Sequence, residues 1–83
     1  MVNTYETIRV LFSESLDSLD MAFKTDTENW GVESLKEWCE SYETTRFTVI
    51  SDKEVIITSE YNMIFVKDWL KQNTSIERME EIL

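Results

Sequence analysis

The chain has 83 residues, of which 42% are hydrophobic and 12% aromatic, and its formal net charge is −9. This length suits a single domain spanning residues 1–83, and the apolar content is too high for a disordered acidic tail. So negative a charge disfavours direct binding to nucleic acid or to anionic membranes, and a partner chosen by charge is expected to be basic.

The first segment carries two competing patterns. A stripe of apolar residues at spacings of three or four is typical of a helix; it consists of Tyr5, Ile8, Phe12, Leu16, Leu19 and Phe23. This stripe favours a helix from about Thr4 to Phe23, with a break near residues 13–15. The alternation of Ile8, Val10 and Phe12 fits a short strand instead, so the choice between helix and strand stays open for residues 4–12.

The next segments predict a loop and then a helix. Residues 24–30 are polar and aperiodic, which indicates a loop, and Gly31 ends it. From Val32 to about Glu43 the apolar residues fall on one face of a helix and carboxylates on another, which makes this the clearest amphipathic element. Its apolar face consists of Val32, Leu35, Trp38, Cys39 and Tyr42.

The second half of the chain begins with a hairpin pattern. Residues 44–51 and 54–58 are rich in β-branched and aromatic side chains, and the polar pair Asp52 and Lys53 separates them. Ser59 is then expected to cap a helix over residues 60–72. One face of that helix consists of Tyr61, Ile64, Phe65 and Trp69, and further apolar residues widen the apolar arc, so that this should be the most buried helix; they are Met63, Val66 and Leu70. A third strand over residues 61–66 is the alternative.

The last residues predict a short helix. Thr74 and Glu77 have the spacing of a capping box, and the inward residues would be Ile76, Met79, Ile82 and Leu83. The elements together predict an α+β fold, in which three or four helices pack on a two- or three-stranded antiparallel sheet. The expected core includes Ile8, Phe12, Leu35, Trp38, Val49, Ile57, Phe65 and Trp69.

The residue types that most enzymes and metal sites need are scarce. The sequence has no histidine, which removes the usual general base near neutral pH and the commonest zinc ligand. Cys39 is the only cysteine, and one glycine is too few for a glycine-rich phosphate loop. We therefore expect no catalytic residues, no metal and no cofactor. Because the chain shows no secretory signal and no apolar run of membrane-spanning length, we expect it to be cytoplasmic.

The strongest functional pattern is the acidic segment of residues 14–43, which holds nine carboxylates and two lysines. Glu33, Glu37 and Glu40 recur about one helical turn apart, at roughly 5–6 Å, a spacing similar to that of phosphates along a nucleic-acid strand. The first helix would add a second row if it packs alongside. The candidate partner-binding residues are Glu14, Asp17, Asp20, Glu33, Glu37 and Glu40. The competing interpretation is an acidic surface that serves only solubility.

In size and charge balance the chain resembles phage-encoded inhibitors of host proteins, among them DNA mimics that block restriction, repair, CRISPR or nucleoid proteins. The resemblance implies a small acidic inhibitor that occupies the basic site of a DNA- or RNA-acting protein in the host cytosol. The alternative function is a non-catalytic adaptor or assembly domain, which would use an aromatic helix face to form a homodimer or to hold a partner. Trp30 is a candidate contact of this second kind.

Overall fold

The structure, a computed structural model, describes residues 5–82. In chain order its elements are β1 (Glu6–Phe12), α1 (Leu16–Thr25), α2 (Thr27–Trp30), α3 (Leu35–Glu40), β2 (Thr45–Val49), β3 (Glu54–Ser59), α4 (Met63–Asn73) and β4 (Ile76–Ile82). The strands form one sheet in the order β2-β3-β1-β4, and each neighbouring pair is antiparallel. When α1 to α3 are counted as one connection, this is the split βαβ, or ferredoxin-like, topology.

The sheet has one covered face and one open face. On the covered face the alternate residues Ile8, Val10 and Phe12 of β1 are completely buried. The strands β2 and β3 and the helices complete this core with Phe47, Val55, Ile57, Leu19, Phe23, Leu35, Cys39, Met63, Val66 and Leu70. The predicted α+β class is confirmed, and the sheet has four strands, more than the two or three expected.

The extra strands come from two segments that were predicted to be helical. The helix from Thr4 to Phe23 is wrong for residues 6–12, which form the central strand β1, while Thr4 lies outside the described residues. Ile8 and Phe12 are four positions apart and so fit both periods, but the alternation with Val10 decides the structure. The helix α1 begins only after Ser15, whose hydroxyl accepts a hydrogen bond of 3.2 Å from the N–H of Ser18.

The predicted final helix is also wrong, because residues 76–82 form the edge strand β4 beside β1, while Leu83 lies outside the described residues. The register shifts at its start, where Phe12 pairs with Ile76 but Leu11 pairs with Arg78. The extra residue, Glu77, makes a β-bulge, so Ile76 and Met79 both pack against the core although they are three positions apart. A bulged strand thus imitates the spacing of a helix.

The helix α4 occurs near its predicted position but rests on a different face. Met63, Val66 and Leu70 are buried, whereas the predicted inward residues Ile64 and Phe65 are 64% and 58% exposed. Tyr61, which precedes the helix, is exposed as well. The alternative of a strand over residues 61–66 is likewise wrong.

Most of the remaining core prediction is confirmed. Ile8, Phe12, Leu35 and Ile57 are buried, and Trp38 and Trp69 are partly buried against the core. Val49 is wrong, since it is 54% exposed. It shares the covered side with Thr45 and Phe47, but it is the last residue of the edge strand β2.

Residues 24–30 depart from the sequence prediction, whereas the helix and the hairpin that follow agree with it. Residues 24–30, predicted to be a loop, instead complete α1 and form the single turn α2, which Gly31 ends in the left-handed conformation with a φ of 76°. The helix α3 is shorter than its predicted range but buries the predicted face. The hairpin of β2 and β3 is confirmed. Among the described residues, no helix is both long enough and apolar enough to cross a membrane.

Candidate protein-binding surface

The segment of residues 14–43, which we call the acidic helical side, contains α1, α2 and α3 and the nine carboxylates. Its two longer helices are joined by a hydrogen bond of 2.9 Å from the N–H of Leu35 to the carboxylate of Asp20. This bond satisfies a backbone donor at the start of α3, which would otherwise lack a partner within the helix. The helices α1 and α3 therefore contact each other.

Three of the six predicted binding residues use their carboxylates to hold the backbone. Asp20 holds the start of α3, and Glu37 accepts a hydrogen bond of 3.3 Å from the N–H of Glu33. Glu40 accepts one of 3.3 Å from the N–H of Phe47, on the outer edge of β2. These contacts give Asp20, Glu37 and Glu40 a structural role, although Glu37 and Glu40 remain exposed. The sequence gives no sign of this role, because the fold or a local turn brings each carboxylate close to the backbone N–H that it binds.

The carboxylates of the other three predicted residues do not bind the backbone. Asp17 and Glu33 are exposed and Glu14 is partly so, and their carboxylates have no hydrogen bond or ion pair with any described residue. The described part of the chain contains three ion pairs, namely Arg9 with Glu54, Lys67 with Glu81, and Arg78 with Glu80. All six of these residues lie outside the acidic helical side. None of these ion pairs neutralises any of the nine carboxylates of the acidic helical side.

The open face of the sheet has the opposite character. All three arginines of the chain project from it, because Arg9 faces the same way as Leu11, and the strand register aligns Arg46 and Arg78 with this side. Arg9 donates a hydrogen bond of 2.6 Å to Glu54, and this bond lowers the pKa of the Glu54 carboxyl group. The molecule therefore separates an acidic helical layer from a sheet face that carries arginines, two of which, Arg9 and Arg78, are paired with glutamates.

Aromatic rings pack where the helices meet. The ring of Trp69 on α4 stacks on Trp38 with a centroid distance of 4.1 Å, and it contacts Phe23 and Trp30 at 5.7 and 5.5 Å. A cavity of about 70 Å³ beside Trp30 is mainly lined by apolar groups and has room for little more than water. Trp30, suggested from the sequence as an exposed contact, is 37% exposed and mainly part of this packing.

An apolar patch that sequence reasoning missed lies on the outer side of α4. It consists of Tyr61, Ile64 and Phe65, which are 65%, 64% and 58% exposed. The helix has two apolar stripes, and the pattern alone does not say which one meets the sheet. The only available signal was the charge pattern, since Asp68 and Lys71 lie on the outer side of the helix.

The single thiol is unsuited to chemistry. Cys39 is fully buried, and burial together with the nearby carboxylate of Glu40 raises its pKa to about 12. A thiol in this state is rarely ionised near neutral pH and cannot act as a nucleophile. Its position among Leu35 and the sheet residues makes it a small core side chain.

Comparisons with known proteins give a family and no further likeness. A family model described as a domain of unknown function (DUF6956) matches residues 1–81, so the chain belongs to this family. No curated protein and no solved structure matches the chain.

Proposed function

We propose that this DUF6956 domain is a non-catalytic binding protein whose acidic helical side docks onto a basic site of another protein. The observation that carries the proposal is that the nine carboxylates of residues 14–43 take part in none of the ion pairs of the described residues. Unpaired surface charge of one sign lowers the stability of the free protein. It becomes favourable when a partner supplies the opposite charge.

The partner class follows from the arrangement of these charges. The bond between Asp20 and Leu35 links α1 to α3, and both helices carry acidic residues. A groove that binds nucleic acid carries cations arranged to meet rows of phosphates. We infer that the protein is an inhibitor of the nucleic-acid-mimic type, which acts in the cytoplasm of a host cell and occupies the basic groove of a DNA- or RNA-acting protein.

The acidic residues of this surface have two different roles. Asp20, Glu37 and Glu40 fix the backbone of the acidic helical side and add to its negative potential. Asp17 and Glu33, which are exposed and unpaired in the described structure, are the side chains best placed to meet cations of the partner. A test of binding should therefore change Asp17 and Glu33 and leave the three backbone-bonded carboxylates intact.

The test is affinity capture from a cell lysate with immobilised protein, followed by elution with salt or with duplex DNA or RNA. We expect a basic nucleic-acid-binding protein that both nucleic acid and salt release, because exposed charges are screened beyond about 8–10 Å at physiological ionic strength. The double variant D17N/E33Q should retain much less of it. The control variant E6Q/D68N removes the same charge from exposed positions outside the acidic helical side and should capture normally. A partner that nucleic acid fails to displace would contradict the mimic.

A second candidate function is supported by the exposed patch of Tyr61, Ile64 and Phe65. Patches of large exposed apolar side chains are a common feature of protein-binding sites. In this case the domain is an adaptor, and the captured protein would resist salt. The variant I64S/F65S would abolish its capture, while D17N/E33Q would leave capture unchanged.

A further inference from the structure

We propose that the outer edge of β4 pairs with the same edge of a second copy of this chain. The two strands run antiparallel about a two-fold axis at Met79, so that Arg78 of each copy lies opposite Glu80 of the other. The two four-stranded sheets thereby become one continuous sheet. This interface lies away from the acidic helical side, and the proposal does not depend on the proposed function.

The two edges of the sheet differ in how their backbone groups are satisfied. On the outer edge of β2, the N–H of Thr45 donates to the carbonyl of Tyr42 at 3.2 Å, and the N–H of Phe47 donates to the carboxylate of Glu40. No backbone N–H on the outer edge of β4 has an acceptor among the described residues. An edge strand with unpaired backbone groups is a template for another strand. β4 has seven residues, enough for such pairing.

The direction of each backbone group on β4 follows from the ladder. The N–H of Phe12 donates to the carbonyl of Lys53 at 2.8 Å, so Phe12 points toward β3. Successive residues alternate, so Leu11 and Arg9 point toward β4. Their partners Arg78 and Glu80 therefore face β1, which leaves the backbone of Met79 and Glu81 directed outward.

The side-chain charges select one register. If Met79 pairs with its own copy, the outward backbone groups exchange hydrogen bonds, and Arg78 lies opposite Glu80 at the two flanking positions. Moving the axis by one residue sets Arg78 against Arg78 or Glu80 against Glu80. Arg78 and Glu80 already form an ion pair of 2.9 Å within one copy. Pairing about Met79 would join two such pairs into a network of four charges on the open face.

The same register brings Glu77 of one copy opposite Glu81 of the other, which is unfavourable unless cations are near. Lys67 on α4 pairs with Glu81, and this hydrogen bond, with the charge of Lys71 as a further cause, lowers the pKa of the Glu81 carboxyl group. Two lysines of α4 therefore flank this edge on the covered side and offset the repulsion.

The test is sedimentation equilibrium of the full chain over a wide range of concentration. We expect a reversible monomer–dimer equilibrium. R78E and E80R should each raise the dimer dissociation constant about tenfold or more, because each places like charges opposite one another twice. The charge-swapped variant R78E/E80R restores both cross-strand pairs and should restore the dimer.

Two controls keep the result interpretable. R46E reverses an arginine on the same open face but on the opposite edge strand, and it should dimerise like the wild type. Circular dichroism with thermal unfolding should show that every variant is folded. A wild-type chain that stays monomeric at all concentrations would overturn the proposal. So would single reversals that dimerise normally, or a folded R78E/E80R that does not recover the dimer.

Discussion

At residue 39 a thiol lies in the core with no exposed surface. Burial and, secondarily, Glu40 raise its pKa to about 12 in the folded protein. Because the folded pKa exceeds the value of about 8.5 for a free thiol, the neutral thiol contributes fully to stability below that pH. The contribution is lost as pH rises through the folded pKa. The burial that packs this thiol into the core is therefore also the main cause of its raised pKa.

This linkage predicts a difference between the wild type and Cys39→Ala. The free energy of unfolding should fall more steeply with rising alkaline pH in the wild type, because only its unfolded state gains a thiolate. Urea unfolding of both proteins from neutral pH to about pH 10.5 would show it, and their shared tyrosines and lysines cancel in the comparison. Parallel profiles would mean that Cys39 ionises as easily when folded as when unfolded.

Asp20 is the acidic residue whose role the structure changes most. Its carboxylate satisfies the N–H of Leu35 across two helices, so Asp20→Ala should destabilise the protein by about 1 kcal/mol, as loss of a helix cap does. Asp17→Ala on the exposed side of α1 should stay within about 0.5 kcal/mol of the wild type. Urea midpoints of the two variants decide this. Equal effects would indicate that the hydrogen bond is unimportant in solution.

At the scale of elements, patterns confined to one segment were predictable and patterns set by pairing were not. The apolar face of α3 and the hairpin appear in the sequence, since each is formed by neighbouring residues. The strand β4 does not, because its bulge at Glu77 gives Ile76 and Met79 a helix-like spacing. The strand β1 was visible only in the alternation of Ile8 and Val10, and its central position follows from pairing with β3 and β4.

The helix α4 provides a direct test of which face is buried. Trp69→Ala should destabilise the protein by about 3 kcal/mol, because it removes a ring that stacks on Trp38 at 4.1 Å and leaves a cavity. Phe65→Ala on the exposed side of the same helix should change stability by less than about 1 kcal/mol. Denaturant unfolding of both variants compares the faces. A larger loss of stability in Phe65→Ala would indicate that Phe65 is buried, as the sequence predicts.

The candidate surface was predictable to a similar extent. The sequence identifies the acidic segment, and the structure shows that its helices α1 and α3 contact each other. The sequence does not reveal that Asp20, Glu37 and Glu40 accept backbone hydrogen bonds. The N–H groups that donate to them are oriented by the turns and by the packing of α1, α3 and β2. Nor does the sequence reveal that all three arginines project from the open face, which depends on strand register.

Over the whole molecule, this separation of charge is the feature that most directly suggests a function. The net charge of −9 is concentrated in the helical layer, whereas the open sheet face carries three arginines and the two glutamates Glu54 and Glu80. A molecule with this distribution presents a strong negative potential on one side and a nearly balanced surface on the other. A basic partner would therefore approach from the helical side.

The measurement that tests this most directly is the association rate constant with the captured partner at several salt concentrations. We expect the rate for D17N/E33Q to be several-fold lower than for the wild type or for the control E6Q/D68N at low salt, since charge complementarity acts mainly on association. The three rates should converge at high salt, where the charges are screened. Equal rates for D17N/E33Q and the wild type at low salt would contradict docking through the acidic helical side.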